Sequence, residues 1–412
     1  MNEINSLLKQ FQRFGVHLGL ERIERLLNAL DNPQQQVPII HVAGTNGKGS
    51  VCAYLSSIIS AAGYKVGRYT SPHLVNWNER ICINDRAIAT EDLEKILQQI
   101  QTAIDPKIES PTQFEVITAA AWLYFAKNKV DLAIMEVGLG GRLDATNVCK
   151  DPIVTIITSI GRDHWQRLGD TIAKIASEKA GILKLGCPVV IGNLPPEAKK
   201  VVQGRALKLN CPIVEISNNS NYSPNSRQRA KYEDIEYSLP LLGEVQLNNS
   251  ACAIAAIKIL QQKGWNIPNN AIETGMKETK WLGRLQWTTW QDRKILIDGA
   301  HNTPAASCLR QYVDTLEKPV NWVMGMLATK DRQGIFQTLL RNGDRLYLVP
   351  VPEHLSAEPE ELAILATNIC PDLTEIKTFP DLFNALEVAK DTETLTVLCG
   401  SLYLVGYFLA KQ

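Results

Sequence analysis

Short, nearly unbroken apolar runs alternate along this chain with longer segments of helical spacing. VPIIHVA at 37–43, DLAIMEV at 131–137 and IVTIITSI at 153–160 predict strands covered on both faces. A glycine-rich turn follows the first run. Beyond it Val51, Tyr54, Leu55, Ile58, Ile59 and Ala62 have the spacing of one buried helix face, closed by Gly63. Strand, loop and helix in that order predict an α/β fold with a mostly parallel sheet and crossover helices. A fresh series of strand-like runs, KILIDGA, NWVMGM, RLYLVPV and LTVLCGS, starts beyond the Gly283 to Asp292 region. It predicts a larger N-terminal domain over 1–285 and a smaller α/β domain over 286–412. The polar stretch from Asn218 to Asp234 predicts an exposed loop or irregular hairpin.

Composition narrows the class. At 412 residues the chain exceeds what one core supports, and 45% hydrophobic with 21% charged residues is the profile of a globular protein. Lys and Arg number 43 and so do Asp and Glu, so no basic excess calls for nucleic acid. Glu3, Lys9 and Arg13 interrupt the N-terminal apolar pieces, which argues against a secretory signal, and no run is long enough to span a bilayer. Nine cysteines lie scattered from Cys52 to Cys399 with no C-x-x-C pair and no zinc-like spacing. They predict buried, reduced thiols in a cytoplasmic protein.

The segment HVAGTNGKGS at 41–50 carries the first chemistry. Gly44, Thr45, Asn46, Gly47, Lys48, Gly49 and Ser50 stand between a buried strand and a helix, where backbone N–H groups and the positive helix end form an anion site. Lys48 adds a mobile charge, and Thr45 or Ser50 a hydroxyl for Mg²⁺ or phosphate. The spacing departs from the Walker pattern, since Val42 stands five before Gly47 and Gly49 precedes Ser50. The plainer alternative is a glycine turn with an exposed lysine. GTNGKGS resembles the ATP loop of the Mur ligase superfamily, and its GKGS ending is similar to the folate branch.

Further motifs in order widen the likeness: LGLERI, YTSPHL, NER, TQFE, EVGLGGRLDATN, GRDHWQRLG and EKAGILK, then LPLLGEVQLNN, GRLQ, DGAHN, MLATKD and GSLYLVG. Together they resemble the folylpolyglutamate synthase/dihydrofolate synthase family. The resemblance implies a P-loop Mur-ligase-like ATPase domain, a Rossmann-like C-terminal domain and a monomer. The implied reaction uses ATP and Mg²⁺ to activate a dihydropteroate or folate carboxylate as an acyl phosphate and join it to L-glutamate. It places Ser71, Glu136 and His164 on the metal and a carbamylated Lys179 beside it, with Lys48, Glu136, His164 and Lys179 as the catalytic set. Asn249, Arg284 and Asp298 are implied to contact ATP. Thr112, Gln113 and Phe114, facing Asp144, Ala145 and Thr146, are implied to hold the pterin. His301 and Lys330, with Asn302 and Asp331 beside them, are assigned to glutamate.

Each assignment has a plainer alternative. The plainer reading of His164 is a lone satisfied histidine, of Lys179 a surface lysine on a helix begun by Asp170 or Thr171, of Phe114 a core residue and of Arg284 a salt-bridge partner. Three positions depart from the family pattern: Val245 replaces the usual histidine, Arg162 an apolar residue and Trp165 a small polar one. Competing functions are a Mur-type ligase acting on a cell-wall nucleotide precursor and a non-catalytic nucleotide-binding module.

Overall fold

A computed structural model describes residues 2–12, 18–216, 229–390 and 394–412, so most of the polar stretch after Asn218 lies outside the described residues. The chain divides into two compact units. The first comprises Met1–Gly161, Trp165–Pro240 and Gln246–Lys280. The second comprises Arg162–His164, Leu241–Val245 and Trp281–Gln412.

The first unit is built on β1 (Ile39–Ala43), β2 (Val66–Tyr69), β3 (Ile81–Ile83), β4 (Arg86–Ala87), β5 (Leu132–Glu136), β6 (Val154–Ile157), β7 (Val189–Ile191) and β8 (Ile213–Glu215). They form one sheet in the order β4-β3-β2-β5-β1-β6-β7-β8. β2, β5, β1, β6, β7 and β8 run parallel, and only β3 and β4 pair antiparallel at one edge. Every residue of β1, β5 and β6 is buried, as continuous apolar runs demand of strands covered on both faces. Val42 stands beside Glu136 and Ala43 beside Ile157, so the loops after β1, β5 and β6 emerge side by side at the carboxyl edge. Open α/β sheets bind ligands there. β9 (Arg229–Tyr232) and β10 (Ile235–Ser238) form a separate hairpin.

The helix Lys48–Ala61 departs from the one-sided pattern. Ser50 to Ser56, Ile58 and Ile59 are all buried, whereas Ala62 is not fully enclosed. Its small residues let neighbours approach on every side: a Cβ at Gly275, on the helix Asn269–Glu278, would lie 2.4 Å from the Ile58 Cα.

The second unit carries β11 (Gln286–Trp290), β12 (Arg293–Ile297), β13 (Val320–Met324), β14 (Arg345–Leu348), β15 (Glu375–Thr378) and β16 (Leu395–Cys399). Their order is β11-β12-β16-β13-β14-β15, parallel except for β11 against β12. Trp322 and Phe336 are fully buried in its core, as Trp122 and Phe125 are in the first unit. No helix among the described residues is long and apolar enough to cross a membrane.

Candidate active site

Gly47 begins the helix Lys48–Ala61 in a left-handed conformation, φ 84°. Any Cβ there would sit 2.3 Å from the Asn249 Oδ1, so only glycine lets the loop pass under that side chain. Asn249 is itself buried; its Nδ2 donates to Gln246 Oε1 at 3.0 Å, and Gln246 Nε2 donates to Ser50 Oγ at 3.3 Å. The other wall is the segment after β6. Thr45 N donates to Ser159 O (2.7 Å), Asn46 N to Ser159 Oγ (3.0 Å), and Thr158 Oγ1 to Asn46 O (2.6 Å). Lys48 Nζ folds back onto the Gly44 and Thr45 carbonyls, 3.1 Å from each.

Lys179 converges on the same place. Thr171, rather than Asp170, caps the helix Ile172–Lys179 by accepting from Lys174 N. At the other end Lys179 is buried and donates to Gly44 O at 2.8 Å, which is no ordinary surface lysine. Across the sheet edge Glu136 ends β5, 5% exposed, and its Oε2 accepts from Ser71 N at 3.2 Å. Ser71 Oγ accepts from Arg80 Nη1 (3.2 Å), and Arg80 Nε donates to His73 Nδ1 (2.9 Å). Glu79 fixes this loop by accepting from the amides of Leu74, Val75 and Asn76.

Thr112 caps the helix Gln113–Lys127: its Oγ1 accepts from Glu115 N, and Glu115 accepts in return from Thr112 N at 2.6 Å. Gln113 Nε2 donates to Leu8 O, and the half-buried Phe114 faces Tyr69, ring centroids 6.3 Å apart. Asp144, Ala145 and Thr146 are buried, and the Asp144 carboxylate accepts from Leu139 N, Thr146 N and Thr146 Oγ1. Burial pushes the Asp144 carboxyl up against those bonds. Thr146 Oγ1 also meets His41 Nε2 at 2.9 Å.

In the second unit Asp163 gathers residues that sequence places far apart. Its carboxylate accepts from Lys330 Nζ (2.9 Å) and Asn302 Nδ2 (2.9 Å), with His301 Nε2 at 3.6 Å and His164 Nε2 at 4.0 Å. Burial opposes the charge, yet His301 and the Lys330 ammonium hold the Asp163 carboxyl well below the usual carboxylate range. Asn302 also caps the helix Thr303–Asp314. Asp298, following β12, accepts from Leu285 N and Ala300 N at 2.8 Å each; burial raises its pKa while the Arg284 charge opposes the rise.

Two family models match the chain, "Mur ligase middle domain" over residues 42–257 and "Dihydrofolate synthetase, C-terminal domain" over 283–411. A dihydrofolate synthase/folylpolyglutamate synthase of Bacillus subtilis is 34% identical, over 96% of this chain and 95% of that protein. A probable dihydrofolate synthetase of Schizosaccharomyces pombe is 36% identical, over 95% and 97%. The chain belongs to the folylpolyglutamate synthase/dihydrofolate synthase family. Its members are ATP-dependent ligases that attach glutamate to folates. The fold agrees: the structure of Mycobacterium tuberculosis folylpolyglutamate synthase, complexed with ADP and AMPPCP, matches with a TM-score of 0.89 at 30% identity, covering 99% of this chain and 98% of that one.

Within this folate-ligase frame, Glu136 and Ser71 offer the hard oxygen donors that suit Mg²⁺, an ion that takes one or two carboxylates and fills its shell with phosphate oxygens and water. Among the described residues there is no group of three or more His, Cys, Asp or Glu that could hold a metal ion. Sequence reasoning missed Arg80 and Asp163 as parts of a site. Arg80 was visible only as the last residue of NER and Asp163 only as the residue before His164. Val245 opens the helix Val245–Gln262, and the next residue, Gln246, makes the contact to Ser50.

Proposed function

We propose that the chain joins L-glutamate to dihydropteroate and to the γ-carboxylate of a reduced folate, at the cost of ATP. A substrate carboxylate oxygen attacks the γ-phosphorus, ADP leaves, and an acyl phosphate forms. The glutamate nitrogen then attacks the carbonyl carbon, and phosphate departs as the amide is made. The observation that carries this reading is the loop after β1. Lys48 rests on two of its own carbonyls, an arrangement that a triphosphate can displace, and the following helix presents its positive end.

Residues 44–50 cradle the phosphates in this proposal, and Asn249, Arg284 and Asp298 contribute to the nucleotide. Ser71, Glu136 and His164 hold Mg²⁺, which when bound screens the phosphate charge that repels the carboxylate. Lys179 reaches the loop from a buried position, and in this proposal its amine is carbamylated, supplying a further oxygen donor for the metal. Thr112, Gln113 and Phe114 meet the pterin from one side in this proposal and Asp144, Ala145 and Thr146 from the other, the polar groups of Thr112, Asp144 and Thr146 being held in place by their own neighbours. His301 and Lys330 bind glutamate carboxylates, with Asp163 holding both in place until the substrate arrives. The proposal includes a cytoplasmic monomer whose nine cysteines stay free.

Phosphate release from ATP, assayed with glutamate plus dihydropteroate, tetrahydrofolate or a cell-wall nucleotide precursor in separate reactions, tests the reading. Release with both pterins and mass spectra showing one added glutamate on each are expected. Turnover only with the cell-wall precursor, or none at all, overturns it.

A further inference from the structure

The phosphate-loop segment opens on a side chain that the proposed chemistry leaves unused. His41 stands on β1 three residues before Gly44, in a strand whose other members are Ile39, Ile40, Val42 and Ala43, and it is fully buried. Its Nε2 lies 2.9 Å from Thr146 Oγ1, a contact between residues 105 apart in sequence, and its Nδ1 is buried with no partner. An apolar side chain would fill this place without orphaning a nitrogen. An unpaired buried nitrogen costs free energy, so packing alone does not account for the imidazole.

The protons can be assigned along the contact. Leu139 N and Thr146 N donate to the Asp144 carboxylate at 2.8 Å and 3.0 Å, and Thr146 Oγ1 donates to the same group at 2.6 Å. A hydroxyl has one proton, and here it goes to Asp144. Thr146 Oγ1 therefore accepts from His41, whose proton sits on Nε2 while Nδ1 keeps a bare lone pair. The result is a buried chain of donors running from His41 through Thr146 to Asp144. Its first member is anchored in mid-sheet, because β1 is paired with β5 on one side and β6 on the other. Its last member closes the loop from Leu139 to Thr146 on itself.

We propose that His41 is a positioning residue for the pterin wall: through the Thr146 hydroxyl it fixes the Asp144 carboxylate and holds Asp144, Ala145 and Thr146 in register with the strand that leads to the phosphate loop. This inference rests on the placement of the pterin against those three residues. His41 itself touches no substrate. Without its N–H the Thr146 hydroxyl loses one of the two bonds that hold its rotamer, and the wall is no longer tied to β1. The pterin then binds less tightly and its carboxylate is presented less accurately to the γ-phosphorus, a misplacement to which such reactions are sensitive. The nucleotide, cradled by residues 44–50 themselves, is held as before.

Steady-state phosphate release by the full chain, with ATP, dihydropteroate and L-glutamate varied in turn, tests it. In His41→Leu the KM for dihydropteroate should rise at least tenfold while the KM for ATP stays within threefold of the parent. His41→Gln, whose amide can still donate to Thr146, should recover most of that loss. Thr146→Val, which keeps the shape and removes the hydroxyl, should raise the same KM, and adding His41→Leu to it should change the KM by less than twofold, because the chain is already broken. If chemical denaturation shows that His41→Leu does not fold, His41→Asn, whose amide is too short to reach Thr146, takes its place. Equal rises in both KM values, a loss that His41→Gln retains in full, or effects of the two substitutions that multiply overturn the proposal. A parent chain inactive with every pterin overturns the proposed function as well, whereas an active parent whose KM for dihydropteroate is unchanged in His41→Leu sinks the positioning role alone.

Discussion

Lys48 holds no carboxylate in the described structure, only the carbonyls of Gly44 and Thr45, so its removal separates catalysis from stability. Lys48→Ala should cut phosphate release by about 10²- to 10³-fold, the loss typical of one charge-stabilising donor. Its stability should move by roughly 0.5 kcal/mol or less, read by chemical denaturation. His41 makes the opposite case. It is fully buried on β1, with Nδ1 unpaired, and burial together with the Lys184 charge lowers its pKa to about 3. The folded state therefore binds its proton less readily than the unfolded chain, where the ordinary value is 6.5. This contribution to stability is complete above pH 6.5 and fades as pH falls toward 3, by about 1.4 kcal/mol per unit at most. Denaturant midpoints followed from pH 7 to 4 should fall less steeply in His41→Gln than in the parent, and parallel curves would refute the assignment.

The helix Lys48–Ala61 is enclosed on nearly all sides, and Gly275 approaches its backbone closely. Gly275→Ala should destabilise the first unit by about 1–3 kcal/mol, because the new carbon meets rigid helix backbone at Ile58. Unchanged unfolding would mean that the two helices can part without loss. The sequence pattern assigned this helix one buried face because Cys52, Ala53 and Ser56 are small or polar and do not register as core. β1, β5 and β6 were legible for the converse reason, their apolar runs being unbroken. β2 was not, since VGRY carries a glycine and a buried arginine, and β7 and β8 span only three residues each. The phosphate loop could be read from its glycines. The surroundings of Asp163 could not, because Asn302 and Lys330 lie 139 and 167 residues further on.

Across the whole molecule nine cysteines remain free, and all but Cys308 are buried. Burial pushes the Cys187 and Cys252 thiols up to about 12, far from the thiolate that alkylating agents need. Brief iodoacetamide treatment of the native chain should add at most one label, at Cys308, and treatment after denaturation should add nine. Early labelling at several sites would show that the cores open readily. The second unit has one more property at this scale, for it is assembled from three separated stretches of chain. Asp163 leaves the ribosome 167 residues before Lys330, so for much of synthesis it is an anion whose cation has not yet been translated. A nascent chain stalled before residue 330 would keep that short segment waiting, open to water and to any chaperone that reads unfinished surfaces.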